Sequence, residues 1–185
     1  PLRGAGQGIL FMGCHAGSWE LSNIACAMLF STKGGPTSGG KERRYAVLAK
    51  PQSRHGRLDA FLNGIREAKG NHVIRVDELK KMVEHLSNGN MLGIVADHGG
   101  KDGIPIEFFG KLAMTPTGSL KLAKKFSSKI ILAFMHRVKG PCHEMILRPY
   151  ELTLTGDATR DIEMNLSKIN LIFQEWIAQY PEEYL

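Results

Sequence analysis

Apolar positions along the chain change period repeatedly, and each change marks a passage between strand and helix. Ile9 to Gly13 is an unbroken apolar run of strand length. From Ser18 onward Trp19, Leu21, Ile24, Ala25, Met28 and Leu29 recur at helical spacing, with Ser18 placed as the N-cap. His15 therefore falls on a strand-to-helix turn, and Glu20 in the first turn of the helix. Residues 34–44 form a glycine-rich basic loop, read as mobile. A strand is expected at 45–49. A helix follows, with the apolar face Leu58, Phe61, Leu62 and Ile65, ending near Gly70.

Residues 72–76 read as another strand, and Asp77 is placed to cap a helix over 78–86 that stops at Asn88-Gly89. Residues 91–96 are uninterruptedly apolar, as in a strand buried on both faces. A long glycine-rich loop, 97–103, comes next. Residues 106–109 and a turn at Gly110 precede a helix over about 116–126. Residues 129–135 and 144–152 read as strands without a helix between them. Asp157 or Thr159 opens a long last helix that ends before Pro181. Strands alternating with helices predict an α/β fold: a mixed, largely parallel central sheet flanked by helices, with an antiparallel edge. Sites in such sheets form beyond the carboxyl ends of strands, where His15, Lys50 and Asp97 all fall.

Composition narrows the picture. The 185 residues suit one domain with a sizeable core, and 43% hydrophobic with 23% charged residues is a folded globular balance. Lys+Arg 24 against Asp+Glu 18 gives a net charge of +6. That excess fits an anionic membrane face, an acidic carrier protein or a phosphate-bearing substrate, or a merely basic surface. No helix carries the basic stripe interleaved with aromatics that nucleic acid needs. Cys14, Cys26 and Cys142 are odd in number and lack a CxxC spacing, which suits a reducing compartment. No apolar run reaches the roughly 18 residues of a membrane span.

The chemistry centres on His15-Ala16-Gly17-Ser18-Trp19-Glu20. A neutral imidazole is the base a hydroxyl needs to attack a thioester, and a carboxylate on the other ring nitrogen fixes the tautomer. Positions five apart on a straight helix point roughly 140° away from each other. A pairing of His15 with Glu20 therefore requires His15 to precede the helix. The plainer alternative is a capping histidine and a glutamate that complements the helix dipole. Asp97 either joins this site or caps the Gly99-Gly100 turn. Lys50, Arg66 and Arg137 are candidate binders of phosphate, or plain surface charges. His98, His136 and His143 lack metal-ligand spacing and read as ordinary polar residues. No serine sits on a G-x-S-x-G elbow, which favours direct transfer over an acyl-enzyme.

His15-Ala16-Gly17-Ser18-Trp19-Glu20-Leu21 resembles the H-x-G-N-W-E-L signature of the bacterial lipid A (lauroyl and myristoyl) acyltransferases, which belong to the wider H-x4-D/E glycerolipid acyltransferase superfamily. Leu48-Ala49-Lys50-Pro51 with the later Arg66, and Val95-Ala96-Asp97-His98-Gly99, resemble further segments of that family. So do Glu107-Phe108-Phe109-Gly110, Thr115-Pro116-Thr117-Gly118, Leu122-Ala123 and the closing stretch 177–185 (IAQYPEEYL). They occur in the family's order and cover nearly the whole chain. Departures are Ser18 for Asn, Lys50 for Arg, which keeps the charge but loses bidentate geometry, and His98 for Gln.

The resemblance implies transfer of a fatty acyl chain from acyl carrier protein or coenzyme A to a hydroxyl of a lipid A precursor. In that reading His15 is the general base and Glu20 orients it. Gly17, Lys50, Arg66, Asp97 and Arg137 contact substrate, Asp97 helps organise the catalytic histidine or the acceptor, and amides near Gly17 or basic side chains hold the oxyanion. No cofactor and no metal are implied, and no nucleic acid; the implied partners are the acyl donor, the lipid acceptor and the cytoplasmic surface of a bacterial inner membrane. Residues 1–185 are expected to be one acyltransferase domain, lacking the family's N-terminal membrane helix and extreme C-terminus. The rival readings are a hydrolase or metal-dependent enzyme using His15, Glu20, Asp97 and His98, and a non-catalytic lipid-binding relative.

Overall fold

Six strands form the central sheet in the order β3-β2-β4-β1-β7-β8 of this computed structural model, which describes residues 8–31, 42–51, 55–97, 99 and 103–185. The strands are β1 (Ile9–Gly13), β2 (Tyr45–Ala49), β3 (His72–Arg75), β4 (Met91–Val95), β7 (Lys129–Lys139) and β8 (Cys142–Tyr150). Every pairing but the last is parallel, and β7 with β8 makes the expected antiparallel edge. A separate antiparallel hairpin, β5 (Ile104–Phe108) and β6 (Lys111–Thr115), turns at Phe109-Gly110. Among the described residues five helices accompany them: α1 (Trp19–Phe30), α2 (Gly56–Glu67), α3 (Leu79–Ser87), α4 (Gly118–Lys125) and α5 (Ala158–Gln179). A short 3-10 turn, Pro181–Glu183, follows α5.

The sheet divides the apolar core by strand alternation. Leu10, Met12, Leu92, Ile94, Leu132 and Phe134 share one buried cluster with residues of α3, α4 and α5. Ile9, Phe11, Tyr45, Met91 and Ile131 share the other with Cys26 and Ala27 of α1. Each such side chain, fully buried, contributes about 1.5–3 kcal/mol. Gly93 in β4 is a requirement of the α1 layer. A Cβ there would lie 2.2 Å from the Tyr45 hydroxyl and 2.3 Å from Asn23 Oδ1, atoms that are themselves hydrogen-bonded at 2.8 Å.

Local details differ from the pattern reading. Asp77 pairs with Arg75, and Glu78 takes the N-cap of α3. Ser18 occupies the N-cap of α1 without a side-chain capping bond. By contrast, Asp157 caps α5 by accepting from the amides of Thr159 and Arg160. Strand β6 occupies the stretch between the expected turn at Gly110 and the expected helix, and α4 starts at Gly118, two residues inside the expected range. The apolar face of α2 does not enter the core: Leu58, Phe61 and Ile65 are exposed. Residues 34–41 of the basic loop lie outside the described residues, as do Arg54 and His98.

Candidate active site

The turn between β1 and α1 is fixed from two sides. On one, the Ser18 N–H donates to the Met135 carbonyl of β7 at 2.7 Å. On the other, the Gly17 N–H donates to the Glu183 carbonyl at 2.9 Å, and the Leu185 N–H to the His15 carbonyl at 3.2 Å. Gly17 has φ +65, and a Cβ there would lie 1.9 Å from the Met135 carbonyl oxygen. Glycine at 17 thus answers a close backbone approach. The amides of Gly17 and Ser18 are thus both hydrogen-bonded within the fold.

Sheet register brings Asp97 to this turn. Gly13 is opposite Val95, and the Ala96 N–H donates to the Gly13 carbonyl at 2.9 Å, so Asp97 emerges from β4 beside His15. Its Oδ1 lies 2.7 Å from His15 Nδ1, and its Oδ2 accepts the His15 backbone N–H at 2.9 Å. The Asp97 side chain is 1% exposed and that of His15 21%. Burial alone would raise the Asp97 carboxyl, but hydrogen bonds from the His15 ring and amide hold it below the ordinary carboxylate range. An ionised Asp97 accepts the Nδ1 proton and leaves Nε2 as the basic nitrogen of the ring. Trp19 meets the imidazole edge-on, with centroids 5.3 Å apart. The neighbouring Cys14 thiol is pushed up to about 12, by burial first and then by the Asp97 charge, and so stays protonated.

Glu20 faces a different partner. Arg66 of α2 donates to it through Nε at 3.0 Å and through Nη2 as well, while its Nη1 donates to Asn63 Oδ1 at 2.9 Å. The Glu20 hydrogen bond holds the Arg66 guanidinium above its ordinary value. The expectation that Glu20 orients His15 is therefore replaced: Asp97 does so, and Glu20 ties α1 to Arg66. Lys50 is exposed at the carboxyl end of β2. Arg137 is exposed on β7 two residues past Met135, and its N–H donates to Glu183 Oε1 at 3.1 Å. His136 is buried and stacks on Tyr180 at 4.1 Å, whereas His143 bonds the Pro141 carbonyl at 3.0 Å. Among the described residues no three His, Cys, Asp or Glu side chains converge as metal ligands.

A cleft of about 560 Å³ opens beside the residues that lead into Asp97. Ile94, Val95 and Ala96 line it from the sheet, Leu79, Met82 and Val83 from α3, and Leu122 with Gly118 from α4; Lys121 and Lys125 also border it. The cleft is assembled from β4, α3 and α4, which local periodicity does not bring together. The contact of the 181–185 segment, which holds the PEEY motif, with the His15 turn is long-range in the same way.

The comparison with curated proteins found no match. The family model described as bacterial lipid A biosynthesis acyltransferase matches residues 2–185. The chain belongs to that family and is an acyltransferase acting on lipid A-related substrates.

Proposed function

We propose that this family member moves a fatty acyl chain from the thioester of an acyl carrier protein, or of coenzyme A, to a hydroxyl of a lipid A precursor, with His15 as general base. The observation that carries this reading is the contact of buried Asp97 with Nδ1 of His15 at the carboxyl ends of β4 and β1. His15 Nε2 takes the proton as the acceptor oxygen forms its bond to the thioester carbon. Asp97 stabilises the imidazolium that results. The C–S bond then breaks, and the imidazolium returns a proton to the departing thiolate. With the Gly17 and Ser18 amides engaged, the oxyanion falls to cationic side chains at the rim, Lys50 and Arg137. The chemistry calls for no resident cofactor.

The apolar cleft between α3 and α4 receives the hydrocarbon chain, and a phosphate of donor or acceptor lies against Lys121 and Lys125. Among the described residues, no helix is long and apolar enough to cross a membrane. Leu21, Met28 and Leu29 of α1 and Leu58, Phe61 and Ile65 of α2 are exposed. With the net charge of +6, this apolar surface suits contact with an anionic leaflet, here the cytoplasmic face of a bacterial inner membrane. The test is incubation of the protein with radiolabelled acyl carrier protein or acyl-CoA and a lipid A precursor. Labelled ester on the lipid supports the proposal. Free fatty acid in place of lipid product would point to a hydrolase, and bound chain without turnover to a lipid-binding relative.

A further inference from the structure

Strand β8 closes the sheet on one side, and among the described residues no strand pairs with its far edge. It is 9 residues long, against 4 in β3 at the opposite edge. Edge strands are commonly short or blunted, because their free N–H and C=O groups invite another strand. The middle of β8 is apolar and only half-buried: Met145, Ile146 and Leu147. On β7 the residues opposite Met145 and Ile146, Met135 and Phe134, are buried. Pro149 brings no N–H to β7, so it belongs to the alternate set of residues whose backbone groups face the open edge. Met145 and Leu147 belong to the same set.

Opposite charges flank this apolar stretch symmetrically, in the order Glu144-Met145-Ile146-Leu147-Arg148. Strand alternation puts Glu144, Ile146 and Arg148 on the α5 face, where Glu144 lies 3.1 Å from His136 and Arg148 3.7 Å from Glu175. Both charges stay well exposed, at 64% and 54%. We propose that β8 is a self-complementary edge on which a second copy of this chain docks antiparallel about a two-fold axis at Ile146, so that one sheet runs through both copies. In that register Glu144 stands opposite Arg148 of the second copy, and Arg148 opposite its Glu144, as favourable cross-strand pairs. A symmetric pairing centred on any other residue does not set these two charges against each other. Met145 and Leu147 then exchange N–H···O bonds with Leu147 and Met145 of the second copy across the shared edge. An axis normal to the sheet also leaves the α1 layers of both copies on one side, with the exposed Met28 and Leu29 of each facing the same way. The inference does not depend on the acyl-transfer reading.

The test is sedimentation equilibrium of the full chain over a concentration series, with charge swaps at the two flanking positions. The wild type is expected to pass from the 20.4 kDa monomer to twice that mass as concentration rises. Glu144→Arg alone meets Arg148 across the axis, and Arg148→Glu alone meets Glu144. Each single variant is therefore expected to dimerise about 10-fold more weakly than the wild type. Mixed in equal amounts, the two variants restore opposite charges at both contacts, and a heterodimer of near wild-type affinity is expected. A folding defect in either variant is common to the pure and mixed samples, so the comparison between them stands. A wild type that stays monomeric up to about 0.1 mM would overturn the proposal. So would a dimer that neither swap weakens, or a mixture that associates no better than its components.

Discussion

Asp97 holds His15 at two points, through Oδ1 on the ring Nδ1 at 2.7 Å and through Oδ2 on the backbone N–H at 2.9 Å. The two contacts fix the ring and the chain that carries it as one unit. A carboxylate in this position selects the tautomer whose Nε2 is basic. The carboxylate five residues along the helix, Glu20, is bound by Arg66 and works on the relation between α1 and α2.

Asp97→Asn and Glu20→Gln therefore separate in their effects. Asn at 97 can present its amide to Nδ1 and favour the wrong tautomer, so kcat is expected to fall roughly 10²–10⁴-fold. Glu20→Gln removes only the charge of a part-exposed pair, and kcat is expected to stay within about 10-fold of the wild type. Steady-state rates of the two variants, measured side by side with the same donor, check the assignment. Equal losses would return Glu20 to the role the spacing suggested.

Gly17→Ala tests the close approach of the turn to β7. The new methyl would meet the Met135 carbonyl at 1.9 Å in a backbone with φ +65. Both penalties act together, and a destabilisation on the order of 3 kcal/mol is expected. Chemical denaturation of the variant reads this directly, as a lowered midpoint. A midpoint equal to the wild type's would mean that the turn relaxes freely.

How much of this was legible in the sequence depends on the range of the interaction. Strands β1, β2 and β4 are short apolar runs bounded by turn residues, and α5 announces itself by Asp157 and a long helical period. The α/β class and the position of His15 on a strand-to-helix turn followed from those local signals. Strand β6 was missed because its residues are mostly exposed, Leu112 at 77%, so no buried alternation marks it. Local spacing offers Glu20 as the partner of His15, whereas only the family resemblance links Asp97 to the histidine. Asp97 is 82 residues away and arrives through the register of β1 with β4, which local spacing cannot supply. The exposed face of α2 likewise reads as core to any periodicity argument, since period reports amphipathicity and not what covers it.

The cleft between α3 and α4 predicts a change in chain-length preference. Gly118 lines it, and a Cβ at that position meets nothing within 4 Å. Gly118→Leu should fill part of the cleft without disturbing the backbone. For the longest acyl donor the wild type uses, kcat/KM is expected to drop at least about 10-fold relative to donors several carbons shorter. A competition assay with mixed acyl donors measures the ratio in one experiment. An unchanged ratio would place the acyl chain elsewhere.

Acid sensitivity is expected to trace partly to Asp161. The Thr155 amide, then Lys124 and the Thr155 hydroxyl, lower its carboxyl from 3.8 to about 2. A carboxyl depressed in the folded state contributes stability that is complete above its unfolded value. That contribution is lost as the pH falls through the folded one. Between about pH 4 and pH 2 the wild type should therefore lose stability more steeply than Asp161→Asn, as urea midpoints across that range would show. Parallel curves would contradict the assignment.

The central claim is that the His15 imidazole is the base for acyl transfer, and turnover of His15→Ala tests it most directly. Wild type and variant, both shown to be folded by circular dichroism, are given radiolabelled acyl carrier protein and a lipid A precursor. Labelled lipid from the wild type and its loss in the variant, by roughly 10²-fold or more, is the predicted result. Equal product from the two proteins would contradict the account.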